Sequence, residues 1–430
     1  MAFDNIPMTK PALMTAAAAL ALYDKATMTN PASVAAAADA LAEVIRRNLT
    51  KLDKAPAAPK AKPTGFRVDL LGALALLAKV IPGRNNGVPI LPNVLLAAKG
   101  DTLRLTGTDM DHVLTVEIDA PGVGDWTTTV EAKALTRLIS KGSGDVLLSP
   151  TVTHLEVMVG EALSRLPTIG AEDFPTMDMD PDHVFTMDAA PLARMVRFIR
   201  PAVSTEEVRY YLNGAYLHTT FEAGERKLRM VATDGHRLNL DDMPATANMP
   251  DFPGVIVPRC ALDTLAPVLV GRDEVQVEVS RQHIRFTAGN VTLLSKVVDG
   301  AFPDYMRVIP RRNEVTYDLD SKAFAAAVTR VSAISNEKSR SIKLTFSADR
   351  VTLLCQNMEA GRAEEHVPAE RRPDSTDGIE IGFNARYLEQ ACAALGAARI
   401  QLQMSDAASP ILAVDPTSPS RVCVLMPLRV

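Results

Sequence analysis

Six amphipathic helical stretches begin near Asp69, Glu131, Asp188, Pro258, Asp320 and Asn384, so successive starts lie 62, 57, 70, 62 and 64 residues apart. Near-constant spacing admits few folds, because each repeat must be one supersecondary unit that buries its apolar face against a neighbour. Between the helices run short alternating stretches: Leu114/Val116/Ile118, Val275/Val277/Val279, Ile342/Leu344/Phe346 and Ile400/Leu402/Met404. Alternation with period two places every second side chain on one face, as in antiparallel strands with one buried side. Punctuation recurs at about twice the helix spacing. Thr108-Asp109 returns as Thr233-Asp234, Phe174-Pro175 as Phe302-Pro303, and Val130-Glu131 as Val257-Pro258, at offsets of 125, 128 and 127. The expected fold is therefore α+β: three repeated domains, each with two helices packed on antiparallel sheet. Their expected bounds are 64–183, 184–312 and 313–430.

Residues 1–63 stand outside this repeat. Thr9 to Lys25 is rich in Ala and Leu, and Pro31 to Leu52 has helical spacing, with Asn30 placed as an N-cap and Pro31 at the first helical position. Ala55 to Pro63 mixes Ala, Pro and Lys and reads as an extended linker. The segment is expected to be a helical hairpin on a tether. Ala16 to Leu22 has the length of a signal-peptide core, but Asp4 precedes it and a second helical stretch follows, so a cytoplasmic protein is expected.

Composition removes several alternatives. No run reaches the roughly 18 apolar residues of a membrane span. A net charge of −5 means that nucleic-acid binding has to come from local basic clusters. Four cysteines (Cys260, Cys355, Cys392 and Cys423) lie far apart without paired spacing, which favours idle or buried thiols over zinc or disulfides. Asp234, His236 and Arg237 resemble an acid/base cluster, yet no nucleophile elbow, zinc-binding helix or phosphate-binding loop accompanies them. Neither enzyme activity, metal nor cofactor is expected.

Residues 230–238 read Met-Val-Ala-Thr-Asp-Gly-His-Arg-Leu, and the chain ends Met426-Pro427-Leu428-Arg429-Val430. Alone, the first contains an ordinary turn and the second an edge strand. They occur together with Val208-Arg209-Tyr210-Tyr211-Leu212-Asn213-Gly214, Pro89-Ile90-Leu91-Pro92-Asn93, Phe302 to Pro310, and Ser335-Asn336-Glu337-Lys338. In their order along the chain the blocks resemble the bacterial DNA polymerase III beta subunits, the DNA sliding clamps. The resemblance covers 64–430, about 85% of the chain, and leaves residues 1–63 without a counterpart.

That resemblance implies a processivity factor: a homodimer of three-domain chains forming a six-domain ring around double-stranded DNA, without regard to sequence. It implies as partners the polymerase III alpha subunit, the clamp loader and other proteins carrying a clamp-binding motif. These would dock a short apolar peptide in a groove between the second and third domains. The positions matching that groove are Leu212, Thr233, Gly235, His236, Arg237, Leu238, Pro303, Arg307, Val308, Val424, Leu425, Met426, Pro427 and Leu428. Arg237 and Arg307 are expected to offer donors to the peptide. Arg84, Tyr210 and Tyr211 match positions near DNA, whereas Glu206 replaces a neutral amide of the family pattern. Leu166 and Ile334 stand where the family places dimer contacts.

Helical spacing adds basic faces, which the resemblance turns toward DNA: Lys133, Arg137 and Lys141 fall at i, i+4 and i+8, Arg194, Arg197 and Arg200 form a broader stripe, and Lys322 shares a face with Arg330. The competing expectation is a monomeric three-domain scaffold that binds peptides without encircling DNA.

Overall fold

The fold is that of a computed structural model, which describes residues 66–83, 87–336, 340–372 and 379–429. The expected N-terminal hairpin and linker, Arg84, and part of the 335–338 block lie outside them. The first repeat contains α1 (Phe66–Leu77), β1 (Asn93–Lys99), β2 (Thr102–Thr108), β3 (His112–Asp119), β4 (Trp126–Glu131), α2 (Ala132–Lys141), β5 (Val146–Pro150), β6 (His154–Val159) and β7 (Ala162–Pro167). The second runs β8 (His183–Asp188), α3 (Ala189–Ile199), β9 (Gly214–Glu222), β10 (Glu225–Thr233), β11 (Arg237–Pro244), β12 (Val255–Pro258), α4 (Arg259–Val268), β13 (Glu274–Val279), β14 (His283–Ala288) and β15 (Val291–Lys296). The third runs β16 (Val315–Asp320), α5 (Ser321–Ser332), β17 (Ser341–Phe346), β18 (Arg350–Asn357), β19 (Gly361–Arg371), β20 (Glu380–Asn384), α6 (Ala385–Leu395), β21 (Arg399–Met404), β22 (Ile411–Asp415) and β23 (Ser418–Leu425). Among the described residues the helix–four strands–helix–three strands order occurs three times, so each repeat carries the two helices and antiparallel strands that the spacing predicts.

Five expected helix starts fall on the residue just before the first helical turn. Asp320 accepts a hydrogen bond from the Ala323 amide, and Asn384 accepts one from Arg386, so each satisfies a donor the helix itself leaves open. The helix at Phe66–Leu77 is already formed three residues before the expected Asp69, and buried Phe66 extends the apolar stripe of Leu70, Ala73, Leu74 and Leu77.

Residues 66–107 with 117–174 make one compact unit, and 108–116 with 175–429 make another. In the first, β1 lies between β2 and β4, with Leu95 opposite Thr106 and Thr129, while β5, β6 and β7 form a separate sheet. The Arg67 guanidinium donates to the Ile139 carbonyl at 3.0 and 3.1 Å, tying the start of α1 to the end of α2. In the second unit, twelve antiparallel strands run β12-β9-β10-β11-β23-β22-β21-β16-β19-β18-β17-β20. This sheet passes from the second repeat into the third through one pairing, Arg237↔Leu425 to Asp241↔Arg421. The last strand thereby lies directly beside the strand that begins at Arg237. Sheet continuity joins the two ends of the sequence motif.

Candidate peptide-binding groove

The β10–β11 turn is built by its own side chains. Thr233 Oγ1 donates to the Arg237 carbonyl at 2.7 Å and accepts from the Gly235 amide at 3.1 Å. Asp234 accepts from the amides of His236 and Arg237 at 2.9 and 3.1 Å. Gly235 sits at φ +87°, where a Cβ would also run into the Arg209 guanidinium. We expect Gly235→Ala to cost about 1–3 kcal/mol of stability and to displace Arg209. Urea unfolding checks it; an unchanged midpoint would show that the turn relaxes freely.

Beside this turn lies a groove of about 270 Å³ with a mainly apolar lining. Nine expected residues line it: Leu212, Thr233, Gly235, Arg237, Leu238, Pro303, Val308, Val424 and Met426. Its floor is a buried cluster of Val231, Leu238, Leu240, Tyr305 and Val424. The four strand residues share one face of the sheet, since Leu238 pairs with Val424 and Val231 with Leu240, and Tyr305 packs on them from the Tyr305–Arg307 turn. Leu and Val provide area that gains when a partner removes it from water, while Met426, 38% exposed, can adapt its shape.

Five expected positions fall elsewhere. Leu425 is buried beyond the groove lining, because successive residues of a strand face opposite ways and its neighbour Val424 takes the groove face. Leu428 donates its amide to Gly382 at 2.8 Å, carrying the tail, with Pro427, away to β20. His236 is exposed and stacks on Tyr387, with ring centroids 6.4 Å apart. Arg307 projects to solvent and pairs with Asp304 at 2.8 Å. Arg237 lines the groove, with three of its five N–H donors engaged: Nε on Asp234 at 3.0 Å, Nη1 on Gln390 and Nη2 on the Pro201 carbonyl. Its guanidinium also covers Tyr387, 4.4 Å from the ring centroid. Arg237 therefore braces the wall, with a second N–H left on each of Nη1 and Nη2.

The sequence reading missed Arg209, Asp304 and Tyr305 in the lining and the polar network behind them. Buried Arg229 holds Asp242 with two bonds, at 2.6 and 2.7 Å, and reaches the Tyr305 hydroxyl at 3.4 Å. His218 contacts the same hydroxyl at 3.0 Å, and Tyr216 stacks against both His218 and Phe302. These contacts fix the segment carrying Pro303, Tyr305 and Val308 against β9 and β10. The Phe-Pro repeat marked this segment; nothing in its spacing pointed to Arg229.

The basic stripes divide. Lys133, Arg137 and Lys141 are exposed on α2, opposite buried Ala132, Leu135 and Ile139, and no ion pair holds them among the described residues. Arg194 is occupied by Asp241 at 3.2 Å, Arg200 by Asp263, and Arg330 by Glu365. Burial drives the Asp241 carboxyl up to about 6 against the pull of Arg194 and Arg421. Arg197 and Lys322 remain exposed. Tyr210 is exposed and meets Tyr211 edge-on, with centroids 5.8 Å apart, whereas Tyr211 lines the groove. Glu206 accepts from Arg209 at 2.8 and 2.9 Å, which offsets the charge expected to repel phosphate. Leu166 is half-buried on β7, which pairs only with β6 among the described strands, and Ile334 is half-buried just beyond α5.

Among the described residues, no group of three or more His, Cys, Asp or Glu side chains could hold a metal ion, and no helix is long and apolar enough to cross a membrane. Three domain models of the DNA polymerase III beta subunit match in order: the N-terminal domain over 65–178, the central domain over 186–304 and the C-terminal domain over 306–429. The beta sliding clamp of Caulobacter vibrioides is 45% identical over 379 residues, covering 86% of this chain and all of the relative. A crystal structure of the Caulobacter crescentus beta sliding clamp superposes with a TM-score of 0.80 at 43% identity, covering 87% of this chain and 99% of the other. A Bartonella birtlesii sliding clamp, solved bound to griselimycin, gives 0.80 at 36% identity over 85% of this chain and 98% of the other. Three consecutive domain matches and a full-length relative at this identity make the chain a member of the DNA polymerase III beta subunit family, the DNA sliding clamps.

Proposed function

We propose that two copies close head to tail into a six-domain ring around duplex DNA, the first domain of one meeting the third domain of the other, with domain bounds at 64–183, 184–312 and 313–430. In this reading the ring works in the cytoplasm, where the chromosome is replicated, and acts as a tether rather than as an enzyme. The open side of β7, with Leu166 and exposed Leu163, supports an interface there, and Ile334 is the opposing contact. The groove holds the clamp-binding peptides of the polymerase III alpha subunit, the clamp loader and other partners. The observation that carries this part is the β11–β23 pairing, which brings the Thr233–Leu238 turn and the chain's end onto one apolar wall.

The unpaired basic face of α2 supports sequence-blind phosphate contact. A ring holds DNA by topology, so weak contacts that permit sliding are sufficient. Changing Lys133, Arg137 and Lys141 together to Glu should lower retention on nicked circular DNA and flatten its salt dependence, by about 0.9 in logarithmic slope for each phosphate no longer neutralised. The protein should still sediment as a dimer. Unchanged retention would remove α2 from the channel, and a monomer at micromolar concentration for the parent chain would favour the non-encircling scaffold.

A further inference from the structure

The Thr-Asp repeat is repeated in three dimensions, with one chemical difference. At 108–112 as at 233–237, the threonine hydroxyl donates to the carbonyl four residues on, and the aspartate receives the last amide of the turn. Arg237 closes the second turn on Asp234; His112 closes the first, with Nδ1 3.0 Å from Asp109 Oδ2. The imidazole has a further nitrogen to use, and its Nε2 lies 2.9 Å from the Cys260 sulfur. Cys260 is the second residue of α4 and is exposed, whereas Cys355, Cys392 and Cys423 are buried. Burial, expected as one of two states for these thiols, does not hold at this position.

We infer that Cys260 is a nucleophilic cysteine, a site of mixed-disulfide formation with small disulfide compounds, activated by His112 with Asp109 as its positioning residue. The order carboxylate, imidazole, sulfur is the arrangement in which a base accepts the thiol proton while its other nitrogen is held in register. The N-terminal amides of α4 add positive potential beside the sulfur. Other charges nearby in the chain are Arg259, which precedes Cys260, Asp263 about one turn on and paired with Arg200, and the Asp111–Lys296 pair at 2.9 Å. Burial disfavours charge on His112, but its bonds to Asp109 and Cys260 prevail and push it up to about 9. The ring can therefore hold a proton beside the sulfur. In the reaction, the Cys260 sulfur attacks one sulfur of the small disulfide, a new S–S bond forms and the old one breaks. The departing thiolate takes up the proton that left Cys260, so the products are a mixed disulfide and one free small thiol.

The full chain is treated at neutral pH with oxidised glutathione and followed by intact mass and peptide mapping. One adduct is expected, at Cys260, forming at least about tenfold faster than on an unstructured peptide spanning the same cysteine. Cys260→Ser should form none. His112→Gln should fall to the peptide's rate and Asp109→Asn to an intermediate one, with unchanged circular dichroism. A parent chain reacting no faster than the peptide overturns the inference, even where a variant fails to fold. So does an undiminished rate in folded His112→Gln.

Discussion

Removing Met426 to Val430 is expected to weaken capture of a polymerase-derived clamp-binding peptide by about ten- to a hundredfold, the equivalent of roughly 1.5–3 kcal/mol for one large apolar contact. Among the described residues removed, Met426 is the one in the groove lining; Val424 and Leu238 remain. The deletion also removes the bonds from the Met426 amide to the His236 carbonyl at 2.9 Å and from the Leu428 amide to Gly382. Strand β23 ends at Leu425, so the sheet pairing that spans the second unit survives. His236→Ala should lose much less, since its imidazole rests on Tyr387 at the exposed rim. Fluorescence anisotropy with a labelled peptide measures both, with circular dichroism as the folding control. A folded truncation that binds at full strength would show that the tail only pairs strands.

The second large effect is expected below the groove. Arg229→Leu removes the partner of Asp242, a carboxylate that is only 8% exposed. An unpaired buried charge costs about 3–5 kcal/mol, far more than most surface changes. The same variant frees the Tyr305 hydroxyl from one of its two contacts, so peptide affinity should fall along with stability. Adding Asp242→Leu should recover much of the stability, because two apolar side chains need no counter-ion. Denaturant unfolding of the single and double variants decides this. Equal losses in both would mean that the network contributes packing rather than charge compensation.

The fold was readable because its repeat is written in periodicity that burial enforces. Leu135 and Ile139 recur with a helix's turn; Leu344 and Phe346 alternate with a strand's pleat. The groove was readable only in part. A motif gives the order of residues, and Val424 and Leu425 are adjacent in order while strand geometry sends them to opposite faces. Arginines in a stripe look free until a carboxylate from another element reaches them, as Asp241 reaches Arg194 across 47 residues. The Arg229 network was hidden for a similar reason: Leu228 to Ala232 are all buried, so one charged residue within the run gives no clue to its partners. His112 and Cys260, separated by 148 residues, carried no shared signal at all.

Topological linkage to DNA is the central claim, and retention on circles measures it directly. The chain, placed on nicked circular DNA by a bacterial clamp loader, is separated from free protein by gel filtration in moderate salt and then exposed to a restriction enzyme that linearises the circle. A ring that slides should remain with the closed DNA and leave it once ends are made, while blocked ends should restore retention. Dissociation from intact circles as fast as from linear DNA would contradict encirclement, whatever the groove binds.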